Sequence, residues 1–220
     1  MQERKAVFLF DTTGNMAIPW AADGYSCHCY DLQNFDRKPQ KIGKGIIHFH
    51  HWDAESTIDG KPSPTDIDPD NVDLVACFPP CTHLAVSGAR WFVGKGLRAL
   101  QQSVGFFATC AEICEDHFQA PYMIENPIST ISTYWRTPDY TFHPCHYSGY
   151  CPSDNYTKQT CLWTGKGFNM PARYMDPNLE IDFDYIHSMP PSEDRAYRRS
   201  ITPEGFARAV WLANRHNEDK

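Results

Sequence analysis

Two residues of this 220-residue chain stand in surroundings that could do chemistry, Cys81 and Glu125. Cys81 lies in DLVACFPPCTHLAVSGARW, residues Asp73 to Trp91. The apolar run Leu74 to Phe78 predicts a buried strand, and Pro79-Pro80 stops it immediately before the cysteine. A thiol there, on a stiff platform at a strand's carboxyl end, sits where open α/β sheets place their ligand crevices. As a thiolate it is a nucleophile; the competing reading is a small buried hydrophobe. Glu125 follows a second apolar run, Tyr122 to Ile124, and leads into Asn126-Pro127. A carboxylate placed like Cys81 can hold or deliver a proton beside it, although turn acids occupy such positions too.

A second set of residues points to an adenosine-type ligand. Ala6 to Phe10 predicts a first strand, followed by Asp11-Thr12-Thr13-Gly14 and a helix over Ala17 to Ala22 with Pro19 near its start. Tyr25 to Tyr30 predicts a second strand, ending at Asp31. Strand, glycine turn, helix, strand, acid is the dinucleotide-binding pattern in outline, and Asp31 would accept ribose hydroxyls. An ordinary strand-to-helix turn fits the single Gly14 equally well. Gly45 to Trp52 alternates and reaches a further acid, Asp53.

Histidines and cysteines suggest metal chemistry without its spacing. His48 and His50 share a strand face beside His51, with no cysteine or carboxylate at ligand distance. His143, Cys145, His146, Cys151 and Cys161 crowd one region, and Cys27, His28 and Cys29 could join them. None shows the paired two-residue gap of a zinc ribbon, so no metal is expected.

The elements that must position these groups follow from pattern and composition. A hydrophobic fraction of 41% and a charged fraction of 21% fit a globular chain, long enough for one full core. Leu97, Leu100, Val104, Phe107, Ala111 and Cys114 recur at helical steps between Val93 and Phe118, with Cys110 and Cys114 as packing residues. Asp59 to Asn71 reads as a surface loop, Trp135 to Gly149 as irregular or β, and Lys158 to Thr164 as a strand. Gly165 to Ser200 is proline-rich and carries acidic Glu180 to Asp184, then basic Arg195 to Arg199. Thr202 is expected to cap a final helix with Pro203 at its first position. No repeat or membrane-length apolar run occurs, and MQERK leads into a strand, so a cytoplasmic protein with no membrane partner is expected. Nine cysteines then read as thiols. The net charge of −7 argues against a dominating basic face.

The succession of glycine turn with Asp31, then Asp53, then Pro79-Pro80-Cys81, then Glu125-Asn126 resembles the DNA cytosine-5 methyltransferases, in the short form found in phages and prophages. FPPCTHLAVSGARWF, IENP, STYWRTPD, KQTCLW and ITPEGFARA carry the likeness, which spans most of the chain between Val7 and Ala213. It implies an α/β, Rossmann-like class I methyltransferase sheet flanked by helices that binds S-adenosylmethionine over its first half. Phe10, Asp11, Thr12, Gly14, Asp31, Asp53 and Pro79 would surround the cofactor. Cys81 would be the nucleophile, Glu125 would hold the pyrimidine edge and Lys158 would assist. Pro80, Ser87, Asn126 and Arg136 would contact the substrate. The catalytic core would span residues 1–164, a reduced insertion 165–200 and a completing helix 201–220.

Three positions depart from the family's pattern. Thr12 stands for the first loop glycine, proline follows Asn126, and Tyr156-Thr157-Lys158-Gln159-Thr160 carries one cation where two arginines are usual. The family's large target-recognition domain has only Gly165 to Ser200 in its place, too short for a core of its own. Sequence recognition must therefore be rudimentary, be supplied by a second copy in a homo-oligomer, or be absent. DNA is the leading substrate; a free pyrimidine nucleotide such as dCMP is the first alternative, and a degenerate fold that only binds is the second. Arg90, Lys95, Arg98, Arg136 and Lys158 could meet the phosphates of either substrate.

Overall fold

The apolar runs of the sequence become the strands of one sheet in the computed structural model, which describes residues 3–57, 69–190, 192 and 195–216. The strands are β1 (Lys5–Leu9), β2 (Ser26–Asp31), β3 (Gln40–Ile42), β4 (Gly45–His51), β5 (Val72–Cys77), β6 (Tyr122–Pro127), β7 (Tyr140–Phe142) and β8 (Thr160–Gly165). Their order across the sheet is β3-β4-β2-β1-β5-β6-β8-β7. The strands β4, β2, β1, β5 and β6 run parallel, whereas β3, on one side, and β8, on the other, run against their neighbours. From β1 the chain builds outward through β2 to β4, then returns to the opposite flank of β1 as β5. That reversal opens a crevice at the carboxyl ends of β1 and β5, the usual ligand position of a Rossmann-like sheet.

Helices close both faces. On one, α1 (Ile18–Ala22) and α6 (Glu204–Asn214) cover Phe8, Cys27, Cys29 and Phe49 with Met16, Trp20, Phe206 and Val210. On the other, α2 (Phe92–Glu112) and the π-helical turn Ile113–His117 that continues it lay Phe107, Cys110 and Cys114 over Val7, Val75, Cys77 and Trp163. Cys110 and Cys114 are fully buried, and the Cys77 and Cys114 sulfurs lie 3.5 Å apart. The sheet is thus α/β with helices on both sides, the architecture the family resemblance implies.

Several expectations require correction. The long helix breaks at Gly96 (φ 77°, ψ 175°), so Leu97 faces solvent at 83% exposure instead of joining the apolar stripe. The strand expected from Lys158 begins at Thr160, leaving Lys158 in the segment before β8. The edge strand β3 was not expected, because its Gln-Lys-Ile sequence has no apolar face to announce it. Thr202 does not cap the last helix. Pro203 holds that position without a side-chain cap, and the Gly205 N–H donates instead to Asp154 Oδ2 at 2.6 Å. A Cβ on Gly205 would approach the Tyr147 carbonyl to 2.5 Å, so the helix end and the 144–154 segment meet only through glycine. Within Gly165 to Ser200 two short helices form, α4 (Tyr185–Ser188) and α5 (Arg195–Ser200). Most of the expected loop Asp59 to Asn71, and the tail after His216, lie outside the described residues.

Candidate active site

The crevice between β1 and β5 is framed by two loops tied at their roots, where the Phe78 N–H donates to the Leu9 carbonyl at 3.0 Å. Beyond β5 the chain extends through buried Pro79 and exposed Pro80 to half-buried Cys81. The backbone around the thiol is fixed from three sides. Asn126 Nδ2 donates to the Pro79 carbonyl at 2.9 Å. The Cys81 carbonyl accepts from the N–H groups of Leu84 and Ala85, each at 3.0 Å. Further on, the Val86 N–H donates to the Ile128 carbonyl at 3.0 Å, so the segments after β5 and β6 are laced together.

Glu125, toward the end of β6, acts electrostatically on the Cys81 thiol. Burial pushes the Cys81 thiol up, the Glu125 carboxyl pushes it further, and Lys158 and Arg199 pull it back. Burial also raises Glu125, opposed by Lys158. A carboxyl raised in this way keeps a proton available, while nearby cations favour the thiolate.

Asn126 was expected to touch substrate. It is 1% exposed; its Nδ2 bonds to the platform that carries Cys81, and its Oδ1 has no partner among the described residues. Ser87 is exposed in the 3₁₀ turn Val86–Trp91. Arg136 is the clearest misplacement. Its guanidinium pairs with Asp139 at 2.6 Å and donates to the Thr164 carbonyl and Tyr122 hydroxyl. Tyr122 begins β6, whereas Glu125 and Asn126 lie toward its far end. Of the other basic candidates, Lys95 donates to the Thr82 carbonyl and Arg98 to Gln101.

The cofactor-side loop is organised around Asp11. Its Oδ1 accepts from the N–H groups of Thr13 (2.9 Å) and Gly14 (2.7 Å), closing the turn after Phe10. Phe10 (φ 58°) and Gly14 (φ 75°) both adopt the left-handed region, and Phe10 packs on Trp52 and Phe106. At Gly14 a Cβ would press the Phe49 ring at 3.2 Å. Asp31 is buried, and its carboxyl is raised by that burial against the opposing hydrogen bonds from the Gln33 N–H and the Thr12 hydroxyl. Asp53 is exposed past β4, where it accepts from the Glu55 N–H at 3.0 Å.

Two residues that sequence reasoning missed complete this side. Asn34 is 1% exposed and its amide donates to the carbonyls of Asp11 and Cys29. Arg37 lies 3.5 Å over the Phe49 ring and donates to Asn34 Oδ1 and to the Thr12 carbonyl. Only the arginine's place shortly after the Asp31 acid could have signalled it.

S-adenosylmethionine fits the donor and acceptor set of this loop. Among the described residues Asp11 Oδ2 and Trp52 Nε1 are buried polar atoms without partners, buried Asp31 ends the neighbouring strand β2, and Gly14 keeps the turn low.

The histidines form a stacked ladder, with His28 on His48 at 4.9 Å and a 3.0 Å contact between His28 Nδ1 and His50 Nε2. Cys27 and Cys29 point to the opposite face, into the core. Cys145 is buried, Cys161 sits on β8, and Cys151 lies by Glu204 at the start of α6. Among the described residues no three such side chains are arranged to hold a metal.

No family model matches the chain, and no curated protein does. Among solved structures, it is similar to an E. coli protein provisionally described as a DNA modification methyltransferase encoded within a prophage. That likeness has a TM-score of 0.47 and 11% identity, over 80% of this chain and 53% of the other. The chain therefore spans about half the length of that structure.

Proposed function

We propose that the protein is an S-adenosylmethionine-dependent methyltransferase that modifies carbon 5 of cytosine in DNA, with Cys81 as nucleophile. The observation that carries this reading is Cys81 on its Pro-Pro platform after β5, held from beneath by Asn126 of β6, with Glu125 and Lys158 acting electrostatically on the thiol and the Asp11–Gly14 loop across the crevice. When bound, S-adenosylmethionine would supply an electrophilic methyl group, which carbon 5 takes once Cys81 has added, with S-adenosylhomocysteine as the leaving group. Carbon 5 of cytosine is too weak a nucleophile to take that methyl unaided. The Cys81 thiolate adds to carbon 6, and the displaced electron pair moves toward carbon 5 and ring nitrogen 3. Glu125, raised by burial, holds a proton at nitrogen 3 and stabilises the charge that develops there. Lys158 favours the thiolate before attack and the Glu125 carboxylate if the proton moves onto the ring. Loss of the carbon-5 proton then returns the electron pair and expels Cys81. Within a duplex the target base must first leave the stack.

A free pyrimidine nucleotide is the second reading, favoured by the small insertion, whose described helices α4 and α5 are each a turn or two long. Incubation with radiolabelled S-adenosylmethionine and, in parallel, duplex DNA or dCMP tests both. Label in DNA supports the first reading and label in dCMP alone supports the second. Label in neither, with the cofactor bound, overturns methyl transfer to cytosine. With a 5-fluorocytosine substrate, fluorine cannot leave as a proton, so a covalent adduct should accumulate at Cys81.

A further inference from the structure

The loop between β1 and α1 holds a conformation that its own residues disfavour. Phe10, the first residue past β1, lies in the left-handed region (φ 58°), where a bulky side chain is an outlier. Glycine-rich loops reach such shapes through backbone freedom, but Asp11, Thr12 and Thr13 all carry side chains and only Gly14 does not. A backbone strained in this way persists where the surrounding structure over-determines it.

The constraint comes from β2 and the loop behind it. Three successive residues of the β1 loop are tied to that one neighbour. The Phe10 N–H donates to the Tyr30 carbonyl at 2.7 Å. The Asp11 carbonyl accepts from Asn34 Nδ2 at 3.3 Å, and the Thr12 carbonyl accepts from Arg37 Nη1. A trans peptide points its N–H opposite to its carbonyl, so fixing the Asp11 carbonyl also sets the direction of the Thr12 N–H. Fixing the Thr12 carbonyl likewise holds the Thr13 N–H on Asp11 Oδ1.

The two clamping side chains are themselves anchored. Asn34 Nδ2 also donates to the Cys29 carbonyl at 3.1 Å, and Asn34 Oδ1 accepts from Arg37 Nη1 at 3.0 Å. The Arg37 guanidinium lies 3.5 Å from the ring centroid of Phe49 on β4. That ring also backs Gly14, where an added Cβ would meet it at 3.2 Å. Phe49 thus supports both the glycine that closes the loop and the arginine that holds its middle. A guanidinium suits this place because its flat face stacks on the ring while its edge donates to carbonyls.

We propose that Arg37, together with Asn34, is a positioning residue that clamps the Phe10–Gly14 loop in the shape that receives S-adenosylmethionine. The inference rests on the functional reading above and deepens it, since it states what holds the cofactor loop where Thr12 replaces the family's glycine. Arg37 acts through the Thr12 carbonyl and Asn34 through that of Asp11.

Isothermal titration with S-adenosylhomocysteine, and hydrogen–deuterium exchange of the ligand-free protein, test the clamp on the whole chain. Arg37→Ala should weaken binding by about tenfold or more, because a charged donor and a ring contact are lost together. Arg37→Lys keeps a charged donor and should recover part of that loss. Lys38→Ala, at the neighbouring exposed cation, should bind within about twofold of the wild type. Asn34→Ala should also weaken binding, and the double variant should lose little more than Arg37→Ala alone, because either change breaks the same clamp. Without ligand, Arg37→Ala should speed exchange at residues 10–14 by about tenfold or more, while β5 keeps its wild-type protection.

The proposal is overturned if Arg37→Ala binds within about twofold of the wild type, or if its loop exchanges no faster. It is overturned equally if the double variant's loss is the product of the single losses, or if β5 loses protection along with the loop. A wild type that binds no S-adenosylhomocysteine, while Arg37→Ala still frees residues 10–14, removes the cofactor reading alone. Wild-type binding that is indifferent to Arg37 removes this inference alone.

Discussion

On the cofactor side of the crevice, polar groups are largely engaged with one another. Asp11 closes its own turn, Thr12 donates to Asp31, and Arg37 is committed to Asn34 and the Thr12 carbonyl. Across the crevice, Glu125, Lys158 and Arg199 act electrostatically on Cys81, while hydrogen bonds fix the backbone beneath the thiol. The first arrangement shapes a surface and the second leaves reactive groups available. Preorganised loops bind with little further ordering, whereas a half-buried thiol held only through its backbone stays open to a substrate.

The sharpest way to break this contrast is Cys81→Ala. Methyl transfer should fall by about 10⁴-fold or more, since a covalent step disappears, while the cofactor Kd stays within about twofold. Equal losses in transfer and in cofactor affinity would show that the two sides are not separable. Glu125→Gln should move two readouts in opposite directions. Removing the carboxyl's charge lowers the Cys81 thiol, so alkylation by iodoacetamide near pH 8 should speed up. Transfer should nevertheless drop by about 10²- to 10³-fold, because the proton at ring nitrogen 3 is lost. Slower alkylation in this variant would contradict the electrostatic arrangement around the thiol.

Both sides depend on the scaffold at the start of α6, where Asp154 caps the helix from the 144–154 segment. Burial raises this carboxyl from 3.8 to about 6 in the folded chain. The folded state therefore binds the proton more tightly than the unfolded one. Stability from that proton is fully present below about pH 4 and is lost as the pH rises through about 6. Asp154→Asn does not titrate, so from pH 4 to 7 its stability should gain on the wild type by about 2–3 kcal/mol. Thermal or denaturant midpoints across that range measure the gap, and a gap independent of pH would refute the assignment.

The same cap shows where the sequence stopped being readable. Apolar runs ending in proline or an acid marked β1, β2, β4, β5 and β6, and with them the positions of Asp31, Cys81 and Glu125, because a buried strand needs a continuous apolar stretch. Partners brought from a distance left no such trace. Asp154 caps a helix that begins at residue 204, and Arg199 acts electrostatically on Cys81 from a basic run that reads as solvated charge. Arg136 failed for the opposite reason. Its proximity to the family's motif suggested substrate contact, but Asp139, Thr164 and Tyr122 hold it toward the wrong end of β6. Spacing along the chain located the strand ends; only the packed structure shows which groups stand beside them.

The smallest effect concerns Thr12, the residue that stands where the family's loop has glycine. If its role were only to intrude a Cβ on the cofactor, shortening it would help and its hydroxyl would be irrelevant. The hydroxyl, however, donates to Asp31, and Arg37 braces the same residue through its carbonyl. Thr12 then orients the carboxylate proposed to accept the ribose hydroxyls, and a neutral hydrogen bond of this kind contributes about 0.5–1.5 kcal/mol. Thr12→Val, nearly equal in volume but without the donor, should weaken cofactor binding by about three- to tenfold. Thr12→Ser, which keeps the donor, should stay within about twofold. Isothermal titration with S-adenosylhomocysteine distinguishes the outcomes without any turnover. If valine binds as tightly as threonine and serine binds better than both, bulk and not the hydroxyl governs this position. The cofactor side would then be tuned by space alone, and its internal hydrogen bonds would serve the loop's fold and not its affinity.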